Sequence, residues 1–139
     1  SFDEMLRRRP ATRQDRLFAR MQLLLPLIVL GLSAFWIASG VIGLWQLDDA
    51  IAAQGGATGD LAPTLVIGGA IADIALGLAL LWRPWARAAC FGMIALTTAY
   101  LIAGTALTAH LWADPLGPFV KTLPAAILAL ICAALLEER

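Results

Sequence analysis

The chain has 139 residues and the composition of a membrane protein. Hydrophobic residues make up 60% of it and charged residues only 14%, and its mean hydropathy is +0.81. Because soluble domains carry about 25% charged residues, this composition excludes an ordinary soluble fold. The formal net charge is 0 at pH 7. We expect membrane lipids and a protein partner, and no nucleic acid among the partners.

The first twenty residues form a polar segment that precedes the apolar part of the chain. Six of the 10 basic residues lie in it, and we interpret them as a binding surface for anionic lipid headgroups: Arg7, Arg8, Arg9, Arg13, Arg16 and Arg20. Each basic residue contributes about 1 kcal/mol to such binding. The alternative is that they only determine the topology of the chain.

A helix is expected to start within this segment, because Thr12 is a suitable N-cap and Asp15 carries negative charge in the first turn. We therefore divide the chain into a cytoplasmic arginine-rich arm with an amphipathic helix, 1–20, and a membrane bundle, 21–139. The chain opens with Ser1 and has no secretory signal. We expect a processed product or one domain of a longer protein.

Four apolar stretches are long enough to cross a bilayer, which requires about 20 predominantly apolar residues. They cover 21–46, 61–82, 88–113 and 115–136. The charged side chains within them are Asp73 in the second stretch and Lys121 in the fourth. The sequence therefore predicts an all-α fold, an integral membrane four-helix antiparallel bundle.

The connections between the spans carry turn-forming residues. Pro84 within 83–87 predicts a tight turn, and two prolines within 114–118 predict a second break. The longer connection, 47–62, contains three glycines, and its part 48–54 is expected to form a short surface helix.

The distribution of basic residues predicts the orientation, because Lys and Arg in short loops stay on the cytoplasmic side. The arm holds six arginines and the 83–87 turn two more, whereas the other loops carry acidic residues and His110. Both termini are therefore predicted in the cytoplasm. Four tryptophans occupy expected interfacial positions, two at each face: Trp82 and Trp85, and Trp45 and Trp112.

Asp73 is the first candidate for a functional site, because a carboxylate at mid-span costs about 3 kcal/mol on insertion scales. Gly69, Asp73 and Gly77 recur every four residues. Small residues allow a neighbouring helix to approach closely, so we predict that this helix face makes the tightest contact of the bundle.

Two kinds of partner for Asp73 remain open. One is an ion pair with Lys121, which requires that spans two and four be neighbours. The other is a hydrogen bond between protonated Asp73 and a hydroxyl such as Ser39 or Thr97. Together with Trp36, an aromatic residue at mid-span, the residues Asp73, Lys121 and Ser39 form our candidate intramembrane polar site.

Two further groups of residues are weaker candidates. His110 and Asp114 lie together at the predicted outer mouth, where a histidine that titrates near neutral pH can relay protons; the alternative is a solvated loop. Cys90 and Cys132 share a depth near the cytoplasmic side and are either a redox pair or small hydrophobes. No metal site and no cofactor are evident, although quinone binding is one possibility.

Several segments together resemble the DoxX-like membrane proteins over nearly the whole chain. They are Arg-Pro-Ala-Thr at 9–12, Phe-Trp-Ile-Ala-Ser-Gly at 35–40, GAIADIALGL at 69–78, the segment 112–118, Lys121 and the end 136–139. The resemblance implies a four-helix bundle in a bacterial inner membrane. The chain is similar to the membrane domain at the C-terminus of fusions with a short-chain-dehydrogenase-like domain. This similarity implies a cytoplasmic partner domain.

Three functions follow as hypotheses. The favoured one is a membrane anchor or assembly subunit for a cytoplasmic enzyme or larger membrane complex, without catalysis of its own, and it predicts a filled bundle interior. The better-understood relatives pass electrons from thiosulfate or thiol systems to quinone, so the second is a quinone-linked redox subunit with a slot beside Trp36, Asp73 and Lys121. The third is a small-molecule or proton transporter, for which Asp73 is the sole argument.

Overall fold

The computed structural model describes residues 13–53, 59–107, 109–113 and 118–137. They form five α-helices, which we number in chain order, and two short 3-10 helices at Gly59–Leu61 and Ala109–Trp112. The α-helices are α1 (Arg13–Trp45), α2 (Leu47–Ala53), α3 (Ala62–Leu81), α4 (Ala86–Leu107) and α5 (Pro118–Glu137). The described residues contain no strand, and the prediction of an all-α fold is confirmed.

Three of the helical segments are long and apolar enough to cross a membrane: Arg13–Trp45, Gly59–Leu81 and Ala86–Leu107. The fourth long helix, α5, contains the shorter apolar stretch Thr122–Leu136. The outer faces of these helices expose leucine, isoleucine, valine and phenylalanine side chains, as expected where lipid replaces water. The fold is a helical membrane bundle.

The four long helices pack as a closed ring, in which α1 contacts α3, α3 contacts α4, α4 contacts α5 and α5 contacts α1. The diagonal pairs, α1 with α4 and α3 with α5, make no backbone contact within the described residues. We call the end with the α3–α4 connection, 82–85, the turn end, and the opposite end, where α2 packs against α3, the α2 end.

The core of the bundle lies mainly in the half nearer the turn end. All four long helices contribute side chains that are at most 4% exposed: Leu25, Leu32 and Trp36 from α1, Leu80 from α3, Ala86, Ala89, Cys90 and Met93 from α4, and Ala129, Cys132 and Ala133 from α5. Toward the α2 end the buried hydrophobic residues among the described side chains are Ala62 and Ala70. We call the half nearer the turn end, to whose core all four long helices contribute, the closed half of the bundle.

The closest approach in the bundle is between α1 and α3. A methyl group added at Gly40 would contact the carbonyl oxygen of Ala70 and lie 2.6 Å from Cγ1 of Ile74. One added at Gly77 would lie 3.1 Å from the carbonyl oxygen of Ser33. The hydroxyl of Ser33 donates a hydrogen bond of 2.7 Å to the carbonyl oxygen of Gly77. Small residues and a side-chain hydrogen bond therefore hold these helices together, as is common in membranes.

The predicted boundaries agree with the structure for α3 and for the two connections beside it. Helix α3 begins and ends within one residue of the predicted span, the chain turns at 82–85 as predicted, and α2 occupies the expected position after α1. Helix α1 runs without a break from the arm into the first span and contains Pro26. Thr12, the expected N-cap, lies outside the described residues.

The prediction is wrong at the end of the third span. Helix α4 ends at Leu107, not at residue 113, and the short helix Ala109–Trp112 follows. The predicted start of the fourth span, residue 115, lies outside the described residues, in which α5 covers Pro118–Glu137. The indole Nε1 of Trp112 donates to Oγ1 of Thr105 at 3.0 Å, so the chain folds back against the last turns of α4. The uncharged stretch of the sequence continues to residue 113. Its hydropathy therefore does not indicate that α4 ends at Leu107.

Candidate intramembrane polar site

Asp73 lies near the middle of α3, and its side chain is 7% exposed. Helix α3 starts with a proline in its first turn and is apolar on both sides of this residue. Because α1 packs directly on α3, Ser39 of α1 reaches the carboxylate, and its hydroxyl donates a hydrogen bond of 3.0 Å to Oδ2. This is the hydrogen bond that the second prediction for Asp73 named. Thr97, the other hydroxyl named there, is buried in α4.

Tyr100 of α4 is a second donor to the same carboxylate, with its hydroxyl 3.4 Å from Oδ1. This hydroxyl lies over Gly69, where an added methyl group would be 2.5 Å from the tyrosine oxygen. The absence of a side chain at Gly69 therefore makes room for Tyr100. Asp73 thus links α3 to α1 through the hydrogen bond from Ser39 and to α4 through the hydrogen bond from Tyr100.

The face formed by Gly69, Asp73 and Gly77 is divided between two neighbours. Gly77 packs on α1, whereas Gly69 packs against Tyr100 of α4. A step of four residues exceeds one turn of 3.6 residues by about 40°, so Gly69 and Gly77 differ by about 80° around the helix. The predicted close packing of this face is therefore shared between two neighbouring helices.

The hydroxyl groups compensate only part of the cost of burying the Asp73 carboxylate. Side-chain hydrogen bonds in membrane proteins are worth about 0.6 kcal/mol on average, and the bond from Tyr100, at 3.4 Å, is weaker than that. An ionised carboxylate at mid-membrane costs about 3 kcal/mol. The two hydrogen bonds therefore do not offset the burial of an ionised Asp73, and the protonation of Asp73 stays a prediction.

Trp36 lies one turn before Ser39 on α1 and is 4% exposed. Its indole Nε1 is buried and has no hydrogen-bond acceptor among the described residues. Buried donors of this kind are rare in native structures and call for an explanation. Trp36 packs in the closed half of the bundle, on the same helix as Ser39 and near its depth.

Lys121 lies on α5, diagonally across the bundle from α3, and these two helices make no backbone contact in the described residues. The condition for the predicted Asp73–Lys121 pair, that the two spans be neighbours, is therefore not met. The side chain of Lys121 lies outside the described residues, and the pair itself stays a prediction.

The other predicted site residues fall partly outside the described residues. The backbone of His110 lies in the short helix Ala109–Trp112, whereas its side chain and all of Asp114 are not described. In the arm, Arg13, Arg16 and Arg20 are exposed on α1. The remaining arginines of the arm lie outside the described residues: Arg7, Arg8 and Arg9.

Two surface grooves lie elsewhere on the described part of the bundle. One, of about 490 Å³, follows a single face of α4 and is lined by Thr98, Leu101, Ile102, Thr105 and Ala106. Tyr100 lies about 200° around the helix from Thr98, so this groove does not open onto Asp73. The other, of about 430 Å³, lies at the turn end between Arg83, Pro84, Arg87 and Leu136.

The sequence did not single out Tyr100 as a partner of Asp73. Tyr100 was one of several polar residues in the third span, and its pairing depends on which helices are neighbours. The available signal was weak: it is the single tyrosine of the chain, and it lies within an otherwise apolar span.

The fold and this site define a polytopic helical membrane protein with a buried carboxylate on α3 that accepts hydrogen bonds from hydroxyls of its two neighbouring helices, α1 and α4. The model of the DoxX-like family matches residues 33–130. The chain therefore belongs to the DoxX-like family, and the match includes Trp36, Ser39, Asp73 and Tyr100. No curated protein and no solved structure matches the chain.

Proposed function

We propose that this chain is an integral membrane subunit that anchors or assembles a cytoplasmic enzyme or a larger membrane complex. The observation that carries the proposal is the filled interior of the bundle's turn-end half, where side chains from all four long helices are at most 4% exposed. A subunit without catalysis of its own requires no internal cavity. The two grooves in the described part lie on the surface and are not lined by Trp36 or Asp73.

We further propose that the membrane is a bacterial inner membrane and that both termini lie in the cytoplasm. The concentration of arginines in the arm and at the turn end supports this orientation. In it, the exposed arginines of α1 face a cytoplasmic partner or the anionic headgroups beside it. The long helix α1 then connects this contact surface to the bundle.

Native mass spectrometry of the gently extracted protein tests the anchor function. We expect a protein partner in stoichiometric amount, which dissociates when Arg13, Arg16 and Arg20 are replaced by glutamine, while the bundle keeps its thermal midpoint. As a matched control, Arg83→Gln changes a basic residue outside the arm. A bundle that is extracted alone, without any protein partner under conditions that preserve known membrane complexes, contradicts the proposal.

A second candidate, a quinone-linked redox subunit, is favoured by one specific observation. The buried Nε1 of Trp36 lacks an acceptor in the described part of the chain, and the hydroxyls of Ser39 and Tyr100 are close to it in depth. A quinone carbonyl is an acceptor for the Trp36 N–H, whereas the single protons of the two hydroxyls are donated to Asp73. Asp73 accepts from both hydroxyls and so orients them, whereas a transporter would require this buried carboxylate to become accessible from both sides.

Quinone extraction from the purified protein tests this candidate. We expect about one quinone per chain in the natural protein and a loss of most of it in Trp36→Phe, which keeps an aromatic ring but removes the donor. Gly31→Ala, an exposed position on the same helix with nothing within 4 Å, serves as the control. Equal quinone content in Trp36→Phe and Gly31→Ala refutes the quinone-linked function and leaves the anchor function intact.

A further inference from the structure

The seam between α4 and α5 brings two thiols together inside the bundle. Cys90 and Cys132 are both 0% exposed and are not joined in a disulfide. Their thiols lie within hydrogen-bonding contact of each other. They are the 2 cysteines of the chain, so both thiols of this protein lie together in this seam. The match to the family model ends at residue 130 and does not include Cys132.

A third sulfur lies beside this pair. Met93 follows Cys90 by three residues, so both side chains lie on the same face of α4. Met93 is also 0% exposed and belongs to the same buried cluster as the two cysteines. The other buried members of this cluster on α4 and α5 are alanines, and the partly buried residues packed against the cluster are also apolar. The seam therefore offers sulfur ligands in an apolar surrounding.

We propose that Cys90 and Cys132 bind one Cu(I) ion, with Met93 as a third sulfur ligand. Thiolate and thioether ligands are soft and select Cu(I) among the transition metals. Structural Zn²⁺ needs four ligands in a tetrahedron, and the described residues contain no group of three or more His, Cys, Asp or Glu side chains that could hold a metal.

Binding of Cu⁺ releases protons, because cysteine binds metals as the thiolate and not as the thiol. Each of the two thiols loses its proton to water and forms a Cu–S bond, while the thioether of Met93 coordinates as a neutral donor. The loaded site carries one negative charge, and no oxidation or reduction takes place.

The groove at the turn end supplies an entry path, which a metal site requires. Its lining residue Arg87 precedes Cys90 by three residues, and Leu136 follows Cys132 by four. The groove therefore lies about one helical turn, about 5 Å, beyond the thiols along the same seam. A Cu(I) ion carried by two thiolates is an anionic complex, so the arginines of the groove attract such a carrier.

Anaerobic titration with Cu(I), in competition with a coloured Cu(I) chelator, tests the site on the detergent-purified protein. We expect one Cu(I) per chain and the release of about two protons. Cys90→Ser and Cys132→Ser should each weaken binding by more than the 10- to 100-fold that loss of an outer-shell partner costs. Met93→Leu should weaken it about tenfold. Met21→Leu, on α1 outside the cluster, is the matched control.

X-ray absorption on the Cu(I)-loaded natural protein keeps the test independent of how well the variants fold. Coordination by two or three sulfurs supports the proposal. Coordination by nitrogen or oxygen, or Cu(I) binding that survives in the Cys90→Ser/Cys132→Ser double variant, overturns it. So does the absence of binding in the natural protein. None of these outcomes depends on whether the chain anchors a partner.

Discussion

Replacement of Gly40 by alanine tests the α1–α3 contact, on which the position of Ser39 depends. The added methyl group would meet the carbonyl oxygen of Ala70 and Cγ1 of Ile74. A backbone oxygen cannot rotate away as a side chain can, so the two helices must separate. Overpacking of this kind costs about 1–3 kcal/mol, and we take about 2 kcal/mol for the steric effect.

A matched variant removes the effect of helix propensity. Alanine is favoured over glycine in a helix by about 1 kcal/mol, and this gain applies equally at Gly31 on the same helix, where an added methyl group meets nothing within 4 Å. The difference between Gly40→Ala and Gly31→Ala therefore isolates the steric cost. We expect about 2 kcal/mol, which is about a 30-fold difference in the unfolding equilibrium.

Unfolding of the detergent-solubilised protein with increasing sodium dodecyl sulfate, followed by tryptophan fluorescence, measures this difference. The pair Gly77→Ala and Gly68→Ala repeats the comparison on α3, since Gly77 is in close contact with α1 and Gly68 has nothing within 4 Å. If both Gly40→Ala and Gly77→Ala unfold at the same detergent fraction as their controls, the helices do not approach as described and the reasoning fails.

Three smaller effects should be measurable in the same unfolding assay. Ser33→Ala removes the 2.7 Å hydrogen bond to the carbonyl of Gly77 and should destabilise the bundle by about 0.6 kcal/mol; a stabilised variant would show that the bond contributes nothing. Tyr100→Phe removes a donor at 3.4 Å, a distance at which hydrogen bonds are weak, so its effect should be smaller than that of Ser33→Ala. Asp73→Asn and Lys121→Met should be additive in a double-mutant cycle within about 0.5 kcal/mol, because their helices are diagonal; a larger coupling energy would restore the ion pair.

The architecture could be predicted from the sequence because lipid imposes one requirement on every span. A helix that crosses the membrane must be predominantly apolar. Arg83 and Arg87 mark where the chain leaves the membrane between two spans. The end of α4 shows the limit of this signal. Residues 108–113 are uncharged, so composition does not distinguish a continuing helix from the short helix that Trp112 holds against Thr105.

The candidate site could be predicted only in part, because it depends on which helices are neighbours. Asp73 was evident from its charge, and Ser39 was one of two hydroxyls proposed as its partner. Lys121 was the alternative partner, but the ring order of the helices puts it on the diagonal. Tyr100 needed both the order of the helices and the space above Gly69. Depth can be counted along a sequence, whereas the order around the ring cannot.

The length of α1 has a mechanical consequence. Its 33 residues span about 50 Å, and even a tilt of about 40°, the upper end of the usual range, would leave about 38 Å along the membrane normal. The hydrocarbon core is about 30 Å thick, so several residues must extend beyond it as a rigid rod, and Arg13 and Arg16 lie on that part.

The rotation of this rod is fixed at its other end, where Gly40 packs on α3. Helical continuity transmits that rotation to the arginines, through a segment in which Pro26 removes one backbone hydrogen bond. A single residue inserted between the arginines and Leu25 would turn them by about 100° while moving them by only about 1.5 Å. The rotation of α1 therefore sets the angle at which a partner bound to the arginines is held relative to the membrane bundle.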